Sequence, residues 1–332
     1  MYHVQFPGLG LAFTVDNVAF RLGSFSVYWY GIIIAAGFVL AFLYAMTSAK
    51  KFKVNSDKLM TCILVGIVCG IVGARLYYVL FYPGDMYLKN PMLIFDIHSG
   101  GLGFYGGAIG GLLGGCITAK LCKLNLPAVL DLGSLGLLIG QCIGRWGNFI
   151  NQEAFGTQTD LPWRMVSEGT GGVPVHPCFL YESLWLLAGF VLLHFFSRRL
   201  RRYDGQVFVL YLLWSGLGRF WIEGLRTDSL LVPGLSLRVS QVLAAAMVIF
   251  AVGCLLALHS RTKLLGCGSA RVMALNEIVD EVPESLIVEE DAPQEPAPQE
   301  PPQGAGDGPA PKPFEAPAPA EEETPNQKDA ND

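Results

Sequence analysis

The chain has 332 residues, of which 52% are hydrophobic and only 15% charged, and its mean hydropathy is +0.42. This composition argues against an ordinary soluble domain and favours an integral membrane protein. The net charge of −5 hides a basic body, because the segment from Glu277 onward holds 16 acidic and two basic residues.

Seven apolar runs are long enough to cross a bilayer as helices, which takes about 20 residues each. They cover residues 26–47, 59–82, 101–119, 126–143, 177–197, 206–223 and 240–259. The fold class is therefore predicted to be all-α, a polytopic integral membrane protein with about seven transmembrane helices. The amino terminus lacks the basic segment that opens a secretory signal, so we expect the first run to remain as a span.

Lysine and arginine concentrate in the loops after the first, third, fifth and seventh runs, whereas the opposite loops are sparser in basic residues. Because basic loops stay on the cytoplasmic side, we expect the amino terminus outside and the carboxyl terminus in the cytoplasm. Residues 1–263 are predicted to form one membrane domain. Residues 264–332, rich in Pro, Ala and Glu, are predicted to be a disordered acidic cytoplasmic tail.

The eight cysteines are scattered without a CxxC pair, so we expect neither a metal site nor disulfides. The third run, in contrast, has a regular pattern, with glycine at every fourth position from Gly103 to Gly115. Small residues at this spacing predict close helix packing in lipid. Tyr105 places one hydroxyl on this otherwise bare helix.

Polar residues at the predicted outer ends of the spans form the candidate site. They are Tyr30, Tyr105, Arg145, Asn148, Asn151, Glu153, His176, Glu182, Arg219, Glu223 and Arg226. Charged groups in a bilayer are costly, so they pair with each other or serve a site. Arg219, Glu223 and Arg226 are spaced to form an ion-pair network that only holds helices together. Arg145 has no carboxylate closer than Glu153, and an excess of arginines favours an anionic ligand such as a phosphate.

The segment "GRWGNFINQEAFG" (144–156) strongly resembles the signature of the bacterial prolipoprotein diacylglyceryl transferase family. Further segments match in the family's order: "SVYWYG", "GARLYYVLFY", "GGLGFYGG", "VHPCFLYES" and "GRFWIEGLR". The resemblance implies a seven-span enzyme of the bacterial inner membrane. Such an enzyme transfers the diacylglyceryl group of phosphatidylglycerol to the lipobox cysteine in the signal peptide of a preprolipoprotein, and releases glycerol 1-phosphate. Neither a cofactor nor a nucleic-acid partner is expected.

The resemblance also assigns roles to individual positions. It implies catalytic roles for Arg145, Arg219, Tyr105 and Tyr30, with Arg145 also binding phosphatidylglycerol. It implies binding or supporting roles for Asn148, Asn151, Glu153, Gly156, His176, Glu223 and Arg226. Physically, a thiol becomes a nucleophile on ionisation, and two arginines can hold the charge that develops on the departing phosphate.

At Tyr105 the chain differs from the family members that carry "FHGG", whose histidine is proposed as the base, because the matching stretch here is "FYGG". Other members are expected to share the tyrosine. A phenol with an ordinary pKa near 10 is a poor base beside imidazole near 6.5. Tyr105 is therefore expected to hydrogen-bond the phosphate or to orient the thiol. His98 could replace the base, although a lone loop histidine is ordinary.

Three other classes of protein remain as alternatives at this stage. A transporter or flippase for anionic lipids would use the same arginines, but the sequence shows no internal repeat. A structural scaffold would explain the glycines but not the polar signature. A CDP-alcohol phosphotransferase would need an Asp-rich metal motif, and the sequence has none.

Overall fold

The computed structural model describes residues 2–23, 25–82, 84–96, 100–227, 238–260 and 263–275. His98 and most of the predicted tail lie outside these ranges. In chain order the helices are α1 (Trp29–Ser48), α2 (Ser56–Leu80), α3 (Met86–Lys89), α4 (Phe104–Leu121), α5 (Leu126–Ile150), α6 (Cys178–Arg199), α7 (Gln206–Glu223), α8 (Val239–Ala257) and α9 (Ala270–Leu275).

Seven of the described helices have 18 residues or more, and each overlaps one predicted span. Five helical segments in the described residues are long and apolar enough to cross a membrane, and they contain α1, α2, α5, α6 and α8. The predicted fold class, a polytopic membrane protein built of helices, is confirmed.

Short strands precede the first helix and were not predicted. They are β1 (Tyr2–Phe6), β2 (Leu11–Val15), β3 (Val18–Leu22) and β4 (Phe25–Tyr28), and β5 (Val166–Ser167) follows later in the chain. One antiparallel sheet has the order β2-β1-β5, and β3 pairs with β4 in a second. The sequence placed the first span at residue 26 because β4 is apolar and runs directly into α1.

The first sheet packs over the end of α5. Val4 and Phe6 alternate on one face of β1, as the two-residue period of a strand requires. They form a buried apolar cluster with Phe149 at the end of α5 and Phe179 at the start of α6. The sheet therefore holds the segment between these two helices against the bundle.

The predicted end of the fourth span was wrong. It was placed at residue 143, but α5 continues to Ile150 and includes half of the polar signature. The apolar run ends near residue 143, but the helix continues through Gly144 and Gly147, which lie at close contacts with α1. A Cβ on Gly144 would be 3.4 Å from Ile34, and one on Gly147 would be 2.8 Å from the Tyr30 ring. These glycines allow α1 to approach α5.

The glycine pattern of α4 packs against glycines of α2, as predicted. A Cβ on Gly66 would be 3.2 Å from the carbonyl oxygen of Gly111, and one on Gly70 would be 3.3 Å from that of Gly107. At such distances the two backbones are in direct contact, which the small side chains permit.

Residues 264–267 pack against the bundle, although the predicted boundary placed them in the tail. Leu264 and Cys267 are buried, and Arg201 donates a hydrogen bond to the carbonyl oxygen of Gly266. The Arg201 guanidinium also pairs with Asp131 at 3.2 Å, and both side chains are almost fully buried. Asp204 accepts hydrogen bonds from the backbone amides of residues 265 and 266. The described part of the chain is therefore anchored beyond residue 263.

Candidate functional site

The candidate residues on the long helices meet at one end of the bundle. Tyr30 lies in the first turn of α1, Arg145 and Asn148 in the last two turns of α5, and Arg219 and Glu223 in the last turns of α7. Antiparallel packing of consecutive helices brings these turns together with the start of α6. The fold thus unites residues that lie far apart in the sequence.

Glu182, in the second turn of α6, is the centre of this cluster. Its carboxylate forms an ion pair with Nε of Arg145. It also accepts a hydrogen bond from Nη1 of Arg219 at 3.1 Å, and Nη1 of Arg226 lies 3.9 Å away. One carboxylate therefore joins guanidinium groups from α5, α7 and the segment after α7.

The predicted pair within α7 is present. Nη2 of Arg219 lies 2.9 Å from Oε2 of Glu223, four residues later on the same helix face. Arg219 thus contacts two carboxylates, Glu223 in its own helix and Glu182 in the neighbouring one. This arrangement fixes the plane of its guanidinium group.

Exposure differs sharply between the acidic and basic members of the cluster. The Glu182 and Glu223 side chains are 7% and 2% exposed, whereas those of Arg145 and Arg219 are 27% and 32% exposed. The carboxylates lie beneath the guanidinium groups and hold them from one side. Three arginines against two glutamates leave the cluster positive, with its open side presented by arginine, which suits an anionic ligand.

A second chain of contacts supports Arg145 within the signature. Its Nη1 donates to Oδ1 of Asn148 at 3.3 Å, and Nδ2 of Asn148 donates to Glu153 at 2.8 Å. Gln152 and Ala154, on either side of Glu153, have φ angles of 55° and 59°. Left-handed backbone costs a residue with a Cβ about 1–2 kcal/mol, so the turn that directs Glu153 back to Asn148 is held by the surrounding structure.

Tyr30 and Asn151 line a cleft beside this network. The cleft lies between β4, the first turns of α1 and the end of α5, with a volume of about 700 Å³. The Tyr30 ring packs on Gly147, so it stands next to the helical turn that carries Arg145 and Asn148. The structure therefore places Tyr30 and Asn151 beside the arginine cluster.

Gly156 lies where three chain segments approach each other. Its backbone amide donates to the carbonyl oxygen of His176 at 2.9 Å, and it pairs across an isolated bridge with Arg226. A Cβ at this position would be 2.7 Å from the Cβ of His176 and 2.8 Å from Sγ of Cys178. Only glycine leaves room for this approach, which fixes the backbone of Arg226.

The imidazole of His176 contacts Tyr181. Its Nδ1 lies 3.2 Å from the Tyr181 hydroxyl, which accepts a hydrogen bond from Trp163 at 2.7 Å. Partial burial lowers the pKa of His176 below its ordinary value. The histidine is accordingly neutral at physiological pH, and its described contact is with Tyr181.

Tyr105 begins α4, as predicted, and its ring stacks obliquely on Tyr77 of α2 with centroids 6.3 Å apart. The segment before α4 is held by Arg75, which donates to the carbonyl oxygens of residues 93, 94, 100 and 101. Tyr105 thus belongs to the α2–α4 pair, whereas the arginine cluster belongs to α5, α6 and α7.

Glu182 is the central residue that the sequence did not identify as such. It was noted only as a polar residue at the start of a span, and Arg145 was expected to lack a nearby acid. Because the partner lies on another helix, no spacing along the chain reveals the pair. The motif "YE" within "VHPCFLYES" was the available signal.

The described residues suit an anion better than a metal ion. Within them, no three side chains of His, Cys, Asp or Glu are close enough together to bind a metal. The helices and this positive cluster at one end of the bundle define a polytopic membrane protein with a buried, arginine-lined polar site.

Comparison with known proteins defines the family. A model of the prolipoprotein diacylglyceryl transferase family matches residues 17–257. A phosphatidylglycerol–prolipoprotein diacylglyceryl transferase of Clostridioides difficile is 43% identical over 235 residues, covering 71% of this chain and 92% of the relative. Proteins of the same name from Finegoldia magna and Bacillus cereus are 40% and 39% identical, over 71% and 74% of this chain and 92% of each relative. The chain belongs to the prolipoprotein diacylglyceryl transferase family, and the resemblance found in the sequence is confirmed.

Proposed function

We propose that this protein transfers the diacylglyceryl group of phosphatidylglycerol to the cysteine thiol of a preprolipoprotein, in the first step of lipoprotein maturation. The relatives carry phosphatidylglycerol and prolipoprotein in their names. The observation that carries the proposal is the arginine cluster, in which Glu182 holds Arg145 and Arg219 side by side with their outer edges exposed.

The two guanidinium groups suit the phosphodiester of the lipid. Each is fixed from below by buried carboxylates, so it needs no reorganisation when an anion arrives. The planar fork of arginine binds two phosphate oxygens at once, which a lysine does not. Arg145 and Arg219 therefore bind the phosphate in the ground state and hold its charge as the bond breaks.

The reaction balances without a further reactant. The thiol of the lipobox cysteine loses its proton, and its sulfur attacks the glyceryl carbon that carries the phosphate. A carbon–sulfur bond forms, the carbon–oxygen bond breaks, and the electron pair leaves with the phosphate as glycerol 1-phosphate. The phosphate gains a second negative charge in this step, and the proton lost by the thiol passes to it or to water. The positive arginine cluster favours the thiolate over the neutral thiol, and so assists the proton loss.

We call the pair Arg145 and Arg219 the arginine clamp, and the remaining site residues support it. Asn148 and Glu153 orient Arg145, Glu223 orients Arg219, and Gly156 fixes the segment that carries Arg226. Tyr30 and Asn151 line the cleft beside the clamp, where we place the lipobox cysteine. We assign Tyr105 to orienting the thiol or the phosphate, and His176 to the structure of the segment before α6.

We also propose that the site opens to the outer leaflet of the inner membrane. The basic loops described above favour an amino terminus outside and a carboxyl terminus in the cytoplasm, which supports this proposal. The clamp lies at the same end of the bundle as the start of α1, which is the outer end in this orientation.

The test is transfer by the purified full-length protein. Vesicles containing phosphatidylglycerol are mixed with a lipobox peptide, and mass spectrometry follows the mass gain on the cysteine together with release of glycerol phosphate. Arg145→Ala and Arg219→Ala are expected to lower the rate at least about 100-fold, because each removes a donor to the developing charge. Arg145→Lys retains the charge but not the planar fork, so it is expected to recover only part of the wild-type transfer rate.

Arg21→Ala is the matched control, since Arg21 is an exposed arginine on β3. It is expected to react at the wild-type rate. A folded wild-type preparation that leaves the cysteine unmodified would overturn the proposed function. Wild-type rates in both arginine variants would overturn the clamp.

A further inference from the structure

An apolar groove enters the bundle next to the arginine clamp. Its back is α5, with Leu138 and Cys142, and its sides are α1 and α6, with Leu40 and Leu187 among the lining residues. The groove has a volume of about 340 Å³. No acidic or basic side chain lines it.

The groove and Arg145 share one face of α5. Cys142 and Leu138 lie three and seven residues before Arg145, so all three side chains project from one face of the helix. A ligand with its anionic part at Arg145 and an apolar extension along this face would enter the groove.

Two successive polar contacts between α1 and α6 close the inner end of the groove. The Tyr44 hydroxyl lies 2.7 Å from Nδ1 of His194, and Tyr44 itself lines the groove. One turn further, Arg198 donates to Oγ of Ser48 at 3.0 Å. The walls of the groove are therefore apolar, whereas its inner end, which we call the floor, is formed by the polar contact of Tyr44 with His194.

The depth of the floor corresponds to one leaflet. His194 follows Glu182 by 12 residues on α6, which at about 1.5 Å per residue places it roughly 18 Å below the clamp. Two acyl chains end to end fill a hydrocarbon core of about 30 Å, so one chain occupies about half of that thickness. The groove thus accommodates one acyl chain and little more.

We propose that this groove binds one acyl chain of the phospholipid whose phosphate is held by Arg145 and Arg219, and that Tyr44, closed by His194, limits the length of that chain. The inference rests on the proposed function and names a specificity determinant for it. A peptide is a poor occupant, because its backbone would find no hydrogen-bond partners on these apolar walls.

The test is a competition between two chain lengths. Full-length protein receives a lipobox peptide and equal amounts of dipalmitoyl and diarachidoyl phosphatidylglycerol in mixed micelles, and the ratio of the two lipidated products is measured by mass spectrometry. Tyr44→Ala removes the floor and is expected to shift this ratio toward the longer chain by at least about fourfold, the effect of burying one more methylene. A product ratio is unaffected by a partial loss of folded protein.

A second variant narrows the groove instead. Leu40 lines the groove and is 50% exposed, so Leu40→Trp adds bulk at its mouth without disturbing the core. With dilauroyl and dipalmitoyl lipids in competition, it is expected to shift the ratio toward the shorter chain. Leu43→Trp is the matched control, because Leu43 is on the same helix, 51% exposed and outside the groove lining. It is expected to retain the wild-type ratio.

The outcomes separate the two proposals. Unchanged product ratios in Tyr44→Ala and Leu40→Trp, with transfer intact, would overturn the acyl-chain groove and leave the proposed function standing. The same shift in Leu43→Trp as in Leu40→Trp would also overturn it, since the effect would then follow bulk on α1 rather than the groove. Absence of transfer by the wild type with any chain length would overturn the proposed function and this inference with it.

Discussion

Glu182 faces three guanidinium groups while its own side chain is only 7% exposed. Without its charge, Arg145, Arg219 and Arg226 would repel each other around a neutral group. The carboxylate is therefore what allows two arginines to stand side by side before a ligand arrives. The cluster is the ion-pair network that the sequence left as one alternative, and we propose that its exposed arginines are also the anion site.

Replacing Glu182 by glutamine is expected to lower the free energy of unfolding by about 2–4 kcal/mol. This is less than the full effect of breaking a buried pair, because Arg145 and Arg219 remain partly exposed to solvent. Denaturant titration in mixed micelles measures the change, and the transfer assay should show at least about a tenfold loss of rate. Glu168→Gln, at an exposed position before α6, is the control. Equal stability of the two variants would contradict the central role of Glu182.

The second prediction at the residue scale concerns the contribution of the Tyr105 hydroxyl to the transfer rate. Tyr105→Phe is expected to lower the transfer rate about 10–100-fold, which corresponds to one hydrogen bond to a charged group. Tyr77→Phe, at the ring that packs against Tyr105, is the control and should react normally. An unchanged rate in Tyr105→Phe would exclude the hydroxyl from the reaction.

Tyr105→His tests whether this position can act as a base. An imidazole with an ordinary pKa near 6.5 would accept the thiol proton only above that pH. If the position acts in proton transfer, the variant's rate should fall below about pH 6.5 more steeply than that of the wild type. Parallel pH profiles would limit Tyr105 to orienting the substrate.

Glycines of α2 and α4 determine how closely these two helices pack, and with that the position of Tyr105. A Cβ on Gly73 would be 3.1 Å from Cα of Gly110 and 3.3 Å from the carbonyl carbon of Gly106. Neither contact can be relieved by a side-chain rotation, because both involve backbone. The helices would have to separate.

Gly73→Ala is therefore expected to destabilise the protein by about 1–3 kcal/mol, the usual effect of overpacking. Gly253→Ala in α8 is the matched control, because a Cβ there would have no atom within 4 Å. That change should be neutral or slightly stabilising, since alanine favours a helix. Thermal unfolding in detergent, followed by circular dichroism, compares the two. Equal melting temperatures would show that α2 and α4 tolerate a wider separation.

At the scale of the whole molecule, the structure and the composition differ over residues 264–267. The composition assigned them to the tail, whereas in the structure they pack against the helices. Arg201, Asp131 and Asp204 hold this segment to the bundle through buried charged contacts. The family match ends at residue 257, so the segment 264–267 lies outside it, whereas Asp131, Arg201 and Asp204 lie inside it.

Two truncations test the anchor. Removal of residues 276–332 is expected to leave both the transfer rate and the melting temperature at wild-type values. Removal of 264–332 takes away the Gly266 carbonyl that accepts a hydrogen bond from Arg201, together with the buried Leu264, and is expected to cost about 2–4 kcal/mol of stability. Comparing the melting temperatures of the two truncated forms measures how much residues 264–275 stabilise the fold. Equal values would show that residues 264–275 contribute nothing to the fold.

The sequence by itself determined the seven long helices of the described residues and the family. Runs of about 20 apolar residues have few alternatives to a membrane helix, because a bilayer leaves every backbone group to be satisfied within the chain. The signature and its companions predicted site roles for Arg145, Arg219 and Tyr30, because matching motifs fix which positions are compared. The helices and the family could be predicted because each depends on a pattern within a short stretch of sequence.

Only the tertiary structure decided what meets across helices. Glu182 became the partner of Arg145 because α5 and α6 pack side by side, and the extension of α5 to Ile150 depended on α1 fitting against its glycines. The apolar groove likewise exists only between α1, α5 and α6. Contacts of this kind join residues with no fixed separation along the chain, so no spacing or composition reports them.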